Sequence, residues 1–246
     1  SRARPQHHQR TARPGRRPVS THTTARPTRS GRPTGWVPFA LIALVVIPAV
    51  AGSLRLVELA GGPPLLPANP RMTASPLPVL VHITCAVPYA VLGAFQFSAR
   101  LRRRHPRWHR SSGRTAFGLG MAVALSALWM ALFYARQPGT GELALLFRLA
   151  FGSGMAASIV LGFSAIRRRD IATHQAWMTR AYAIALAAGT QTLTLAVGPA
   201  VFGSGVLTKD LSLGAAWVLN LAVAELVIHR SARPRASRSL TVVGSP

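Results

Sequence analysis

Six long apolar runs dominate this chain and restrict what it can fold into. They cover residues 36–57, 77–97, 116–135, 149–166, 181–202 and 211–228. A helix needs roughly 20 residues to cross the apolar core of a bilayer, and the backbone polar groups of a segment in lipid must bond within that segment. Six buried helices of a soluble protein would leave too little polar chain to cover them. The sequence therefore predicts an all-α, polytopic transmembrane helix bundle with six spans.

The basic residues alternate between the two sides of these runs. Twenty-four of the 29 Lys and Arg residues lie before residue 36, in the segments 100–114 and 167–180, or after residue 229. The other five are Arg55, Arg71, Arg136, Arg148 and Lys209. Because cytoplasmic loops carry an excess of Lys and Arg, the pattern predicts that both termini are cytoplasmic.

The terminal segments are rich in Arg and poor in aliphatic residues, so residues 1–35 and 231–246 are predicted to be disordered tails around a transmembrane domain at 36–230. A net charge of +24 in a soluble protein would indicate nucleic acid binding. Here the topology accounts for the charge, and we expect no nucleic acid partner. The basic loops can bind anionic lipid of the bilayer. A single cysteine excludes an intrachain disulfide, and the oligomeric state is left open.

Polar residues within the spans are costly in lipid and therefore mark candidate sites. His82, Tyr89 and Gln96 recur every seven residues, which places them on one helix face that should point into the bundle. His82, Gln191 and Asn220 all fall in the middle-to-outer part of their spans, so they are predicted to share a ligand-binding pocket. The alternative is that each bonds separately to a neighbouring backbone carbonyl.

Arg148 has two interpretations that depend on where the fourth helix begins. A start at Glu142 would put Arg148 inside the span. A start at Leu149 would let its guanidinium extend to the outer interface. We favour the start at Leu149 as the simpler arrangement.

Two cytoplasmic segments combine histidine and arginine at the start of a helix. They read His-Arg-Ser-Ser-Gly-Arg at 109–114 and His-Gln-Ala-Trp-Met-Thr-Arg at 174–180. Helix amino termini with Arg nearby suit anions, so these segments are candidate phosphate sites. Alternatively, they are topology signals and interfacial anchors. The candidate ligand-binding residues are His109, Arg110, Arg114, His174, Trp177 and Arg180.

The sequence resembles the bacterial membrane proteins grouped as domain of unknown function 2306 (DUF2306). The resemblance lies in His82, Gln96-Phe97, Arg-Arg-Arg-His-Pro at 102–106, His-Arg-x-x-Gly-Arg at 109–114 and Asp-Ile-x-x-His-x-x-Trp-Met-x-Arg at 170–180. It covers roughly residues 36–230 and implies a multi-pass protein of the bacterial plasma membrane. The family has no assigned function, so the resemblance implies no reaction.

Three classes of function stay open. The chain could bind a small ligand, lipid or cofactor within the bundle without catalysis. It could be a redox protein linked to b-type haem or quinone, with His82, His109 and His174 as the possible haem ligands. It could also transport a small solute or protons. Hydrolytic motifs such as His-Glu-x-x-His are missing from the sequence, so an enzyme is the less favoured class.

Overall fold

The computed structural model describes residues 36–232, and every regular element among them is helical. The predicted tails at 1–35 and 231–246 lie outside these residues, except for residues 231 and 232, which belong to the last helix. In chain order the helices are α1 (Val37–Leu59), α2 (Pro70–Ala74), α3 (Pro76–Gln96), α4 (Ala99–Arg104), α5 (Pro106–Phe133), α6 (Glu142–Arg167), α7 (Ile171–Ala185), α8 (Ala187–Phe202) and α9 (Val206–Ala232).

Five of these helices, α1, α3, α5, α6 and α9, are long and apolar enough to cross a membrane. Helices α7 and α8 pass the same test together, although the chain bends by 44° between them. Counted as one broken span, this pair is the sixth. The predicted fold class, an all-α transmembrane bundle, is confirmed for the described part of the chain.

Four helices begin well before the apolar runs that predicted them: α5 and α7 by ten residues, α6 by seven and α9 by five. Helix α5 starts at Pro106, where a proline fits the first turn because its missing N–H would have no helical partner. Helix α6 starts at Glu142, so the favoured start at Leu149 was wrong. The Asp210 carboxylate accepts hydrogen bonds from the backbone N–H of Gly141 at 3.0 Å and of Ala144 at 3.1 Å. This cap from α9 stabilises the early start, and it places Arg148 inside the helix.

The core lies where α3, α5, α6 and α7 meet, and small residues bring these helices close together. A Cβ atom at Gly93 would collide with the ring of Tyr182, and one at Gly120 would come within 2.7 Å of the ring of Tyr89. Glycine at both positions therefore lets the two tyrosines fill the space between helices.

Helices α1 and α8 lie at the periphery, against each other and against α3 and α9 respectively. They touch most closely at Gly189, where any side chain would collide with the backbone oxygen of Leu44. Large apolar side chains on the outer faces are exposed, among them Phe39, Val46, Leu132, Val201 and Leu226. Such an apolar exterior on membrane-spanning helices implies a lipid bilayer environment.

The connecting segments collect at two opposite ends of the bundle. Residues 60–75, 134–148 and 203–214 form the cavity end, named for the cavity described below; there Tyr134 Oη donates to Ser75 O at 2.5 Å and Lys209 Nζ donates to Pro138 O at 3.0 Å. Residues 96–114, 164–180 and 225–232 form the basic end, which holds the arginine-rich loops. Segments alternate between the ends along the chain, as six spans require.

Candidate functional site

A partly open cavity of about 590 Å³ extends from the cavity end into the middle of the bundle. Its walls are mostly apolar, with Val45, Ile83, Val123, Met155 and Trp217 among the lining residues. Its polar lining includes His82, Tyr89, Gln137, Gln191, Arg71 and Arg148. An apolar chamber with a few polar groups is the usual form of a small-molecule site.

His82 is held in place by α5. Its Nδ1 lies 3.2 Å from Val123 O and 3.1 Å from Ser126 Oγ. Because a carbonyl oxygen only accepts, the bond to Val123 requires the proton on Nδ1. In the neutral ring Nε2 is then an acceptor, so His82 can receive a hydrogen bond from a ligand donor.

Tyr89 and Tyr182 line the deep part of the cavity, with ring centroids 6.0 Å apart. Tyr182 Oη donates to Ala90 O at 2.6 Å, which fixes its ring beside α3. Among residues 36–232, the Tyr89 hydroxyl has no hydrogen-bond partner. The hydroxyl of Tyr89 is therefore available to a ligand, as donor or acceptor.

Gln191 joins His82 at the cavity, whereas Asn220 does not line it. The Gln191 amide makes one long bond, from Nε2 to Leu213 O at 3.4 Å. Asn220 donates to Ala183 O at 3.0 Å and accepts from Thr190 Oγ1 at 2.8 Å, close to the bend between α7 and α8. The structure thus brings together two of the three residues expected in one pocket, and Asn220 follows the alternative of a backbone partner.

Three arginines that the sequence interpretation left out of the site line the cavity at the cavity end: Arg71, Arg148 and Arg136, of which Arg136 is paired with Glu142. Arg71 donates from Nε to Asn69 Oδ1 at 3.0 Å and from Nη1 to Ala135 O at 3.4 Å. Arg148 donates from Nη2 to Gln137 Oε1 at 3.2 Å. Partial burial lowers the pKa of Arg71 below its ordinary value, yet a guanidinium stays charged at neutral pH. In the sequence, the one feature that set these arginines apart was their position on the arginine-poor side of the predicted membrane.

At the basic end, by contrast, several of the predicted site residues bond to neighbouring protein groups. Gln96 Nε2 donates to Ser112 Oγ at 2.6 Å, and His174 Nδ1 lies 2.9 Å from Gly162 O. Arg180 stacks over the ring of Trp177 at 4.7 Å and forms a two-pronged ion pair with Glu225 at 2.5 and 2.9 Å. These contacts tie α3 to α5, α6 to α7 and α7 to α9.

At the start of α7, where a phosphate site was predicted, the Asp170 carboxylate already binds the helix amino terminus. Asp170 Oδ1 accepts from Thr173 N at 3.0 Å, and this bond holds the pKa of Asp170 below its ordinary value. The other segment begins inside α5, where His109 is half-buried and Arg110 and Arg114 are exposed. No contact in the described residues gives these three a ligand, and their role stays a prediction.

A family model described as "Predicted membrane protein (DUF2306)" matches residues 79–228, which is more than half of the chain. The chain belongs to the DUF2306 family. No curated protein and no solved structure matches it. The DUF2306 match begins within α3 and ends at residue 228, near the end of α9, so it includes His82 and both histidine segments. Helix α2, which carries Arg71, precedes it.

The cavity of this DUF2306 protein does not fit a haem held by two histidines. His82 is the one histidine lining the cavity in the part of the chain described. The His82 ring packs against Val123 of α5. His109 lies on α5 as well, fourteen residues before Val123, which is about 21 Å along the helix at about 1.5 Å per residue. Two axial ligands must face each other across a single ring. Within residues 36–232, no group of three His, Cys, Asp or Glu side chains is placed to hold a metal ion.

Proposed function

We propose that this DUF2306 protein binds a small, largely apolar ligand or lipid inside the helix bundle, without catalysis. The observation that carries the proposal is the 590 Å³ cavity, whose volume lies within the range of about 300–1,000 Å³ typical of small-molecule sites. Apolar walls favour an apolar body because they withdraw it from water. The ligand enters from the cavity end or from the lipid between the outer helices.

Three uncharged groups supply the polar contacts of the deep site. His82 Nε2 accepts, the Tyr89 hydroxyl donates or accepts, and the Gln191 amide does both. They lie among apolar neighbours, so a ligand carrying one or two oxygen atoms would lose little hydrogen bonding on leaving water. This set suits a carbonyl- or hydroxyl-bearing ring or chain, which includes quinones and lipids.

We also propose that the protein sits in the bacterial plasma membrane with its basic end in the cytoplasm. The support is the concentration of arginine in the segments 100–114 and 167–180, which share that end. Single cysteines placed at Arg107 or at Gly139 in a Cys85→Ala background test this with a membrane-impermeant maleimide on intact cells. Labelling at position 139 alone supports the orientation, and labelling at position 107 alone reverses it.

The binding proposal is tested by filling the cavity and identifying what copurifies. Ala127 lines the cavity, whereas Ala150 is exposed on the lipid-facing side of α6. Ala127→Phe and Ala150→Phe therefore make the same substitution, the first inside the cavity and the second outside it. Proteins extracted in native lipid discs are analysed by mass spectrometry of organic extracts and by absorbance.

We expect a compound enriched over bulk membrane lipid in the wild type and in Ala150→Phe, and depleted at least fivefold in Ala127→Phe. Elution of all three proteins as single symmetrical peaks excludes misfolding as the cause. Equal recovery from both variants would contradict binding in this cavity. The mass and spectrum of the compound separate quinone, lipid and haem.

A further inference from the structure

The charges at the cavity end are unevenly paired. Five basic and three acidic residues lie on the segments that meet there or on the adjoining end of α1: Arg55, Arg71, Arg136, Arg148, Lys209, Glu58, Glu142 and Asp210. Two ion pairs use two of each, Arg55 with Glu58 and Arg136 with Glu142. In the described residues, the remaining cations make no salt bridge.

The third carboxylate is already engaged. Asp210 is 2 % exposed, and its two oxygens accept the N–H groups of Gly141 and Ala144 at the start of α6. It lies close enough to attract Arg148 electrostatically, but no contact within 4.0 Å joins the two side chains. The geometry leaves Arg148 without a counter-ion in contact.

Arg71 and Arg148 differ from the third unpaired cation, Lys209, in where they lie. Both arginines line the cavity and are half-buried, whereas Lys209 donates to Pro138 O and does not line it. The two guanidiniums are near enough to repel each other. Like charges held together beside an apolar chamber are unfavourable unless an anion lies between them.

The two guanidiniums also retain unused donors. Each has five N–H groups in a planar fork. Within residues 36–232, Arg71 uses Nε and Nη1, and Arg148 uses one Nη2. The side chains of Asn69 and Gln137 orient the two guanidinium groups. Their remaining N–H groups can then donate paired hydrogen bonds to two oxygens of a carboxylate or phosphate.

We propose that Arg71 and Arg148 bind the carboxylate or phosphate head of an amphiphile whose apolar chain fills the cavity below. This inference rests on the proposed function, because the cavity must admit the chain. It adds a specificity: an anionic amphiphile binds more tightly than a neutral one of the same length. The deep groups His82 and Tyr89 then meet the chain or a polar group along it.

Trp217 lines the cavity and provides a local reporter. The probe is 9,10-dibromostearate, whose bromines quench tryptophan fluorescence on contact, titrated into protein in neutral phosphatidylcholine discs. The part of the quenching that disappears in Trp217→Phe reports occupancy of the cavity. The matched neutral probe is 9,10-dibromooctadecanol, and dibrominated phosphatidylglycerol distinguishes a phospholipid head from a free carboxylate.

We expect dibromostearate to bind at least tenfold more tightly than the alcohol. Arg71→Gln and Arg148→Gln should each weaken the acid by at least fivefold and leave the alcohol unchanged. Lys209→Gln, which removes the same charge at the same end, should change neither. Tighter quenching by the phosphatidylglycerol probe than by stearate would assign the head to a phospholipid, and the reverse to a fatty acid.

Two outcomes separate failure of this inference from failure of the proposed function. If acid and alcohol bind equally and Ala127→Phe abolishes both, the cavity binds ligand and recognition by Arg71 and Arg148 is overturned. If quenching persists in Trp217→Phe and in Ala127→Phe, no ligand enters the cavity and both proposals fail. Arg71→Lys and Arg148→Lys keep the positive charge and should retain at least half of the preference for the acid over the alcohol. Loss of that preference in these variants, when they are folded, would count against recognition by Arg71 and Arg148.

Discussion

The two ends of the bundle use polar residues in opposite ways. At the basic end, Gln96, His174 and Arg180 bond to Ser112, to the Gly162 carbonyl and to Glu225, and these bonds join neighbouring helices. At the cavity end, Arg71 and Arg148 lie beside open space with donors to spare. The motif residues Gln96, His174 and Arg180 thus join neighbouring helices, whereas Arg71 and Arg148, which belong to no motif, keep free donors beside the cavity.

The largest effect should come from the buried helix cap at the cavity end, compared with the exposed cap at the basic end. Asp210→Ala would leave the buried N–H groups of Gly141 and Ala144 without a partner, at a cost of about 3 kcal/mol. Asp170→Ala removes a solvent-exposed cap of α7, where water can replace it, and should cost less than Asp210→Ala. Thermal unfolding in detergent, followed by circular dichroism, compares the two. Equal losses would mean that the burial of the Asp210 cap is unimportant.

A second effect concerns the packed region between the ends. Gly93→Ala would press a methyl group into the Tyr182 ring and should destabilise the protein by about 2 kcal/mol. Gly118 faces open space on α5, so Gly118→Ala should stabilise by up to about 1 kcal/mol through helix propensity. Opposite shifts of the unfolding midpoint are expected. Shifts of the same sign would show that the close approach of α3 and α7 is not needed.

A third comparison separates stability from binding. Arg180→Gln breaks the ion pair with Glu225, which is partly exposed, and should cost about 1 kcal/mol while leaving probe binding unchanged. Arg148→Gln should do the reverse, with little loss of stability and weaker binding of the anionic probe. Thermal unfolding midpoints and fluorescence-quenching titrations, measured on the same preparations of each variant, check the stability and the probe binding. Weaker probe binding in Arg180→Gln would mean that the basic end takes part in the site.

The smallest effect is a pH dependence at the start of α7. Because the folded pKa of Asp170 is lower than its unfolded value, the ionised cap stabilises the helix above the ordinary pKa of about 3.9. That stabilisation is lost as the pH falls below this value through the lowered pKa. Hydrogen exchange of the Thr173 amide should accelerate over this range relative to Asp170→Asn. If hydrogen exchange of the Thr173 amide had the same pH profile in the wild type and in Asp170→Asn, the role of the Asp170 cap would be contradicted.

Sequence alone determined that the membrane-spanning elements are helices and predicted six of them, of which five are single helices and the sixth is the bent pair α7 and α8. Length and apolarity of a segment decide whether a helix can span lipid, and both are local properties. The seven-residue spacing of His82, Tyr89 and Gln96 also placed their shared face correctly, toward α5 and α7. Periodicity on one helix suffices for that, since it requires no knowledge of the partner.

Tertiary structure decided where helices begin and which polar groups meet. The start of α6 depends on Asp210, a carboxylate 66 to 69 residues further along the chain, so no local pattern could reveal it. Asn220 left the expected pocket because the backbone oxygen of Ala183 lies within its reach, and Arg71 and Arg148 came together from two distant segments. Caps, pockets and charge pairs are made between elements, and their geometry exists only once the helices have packed.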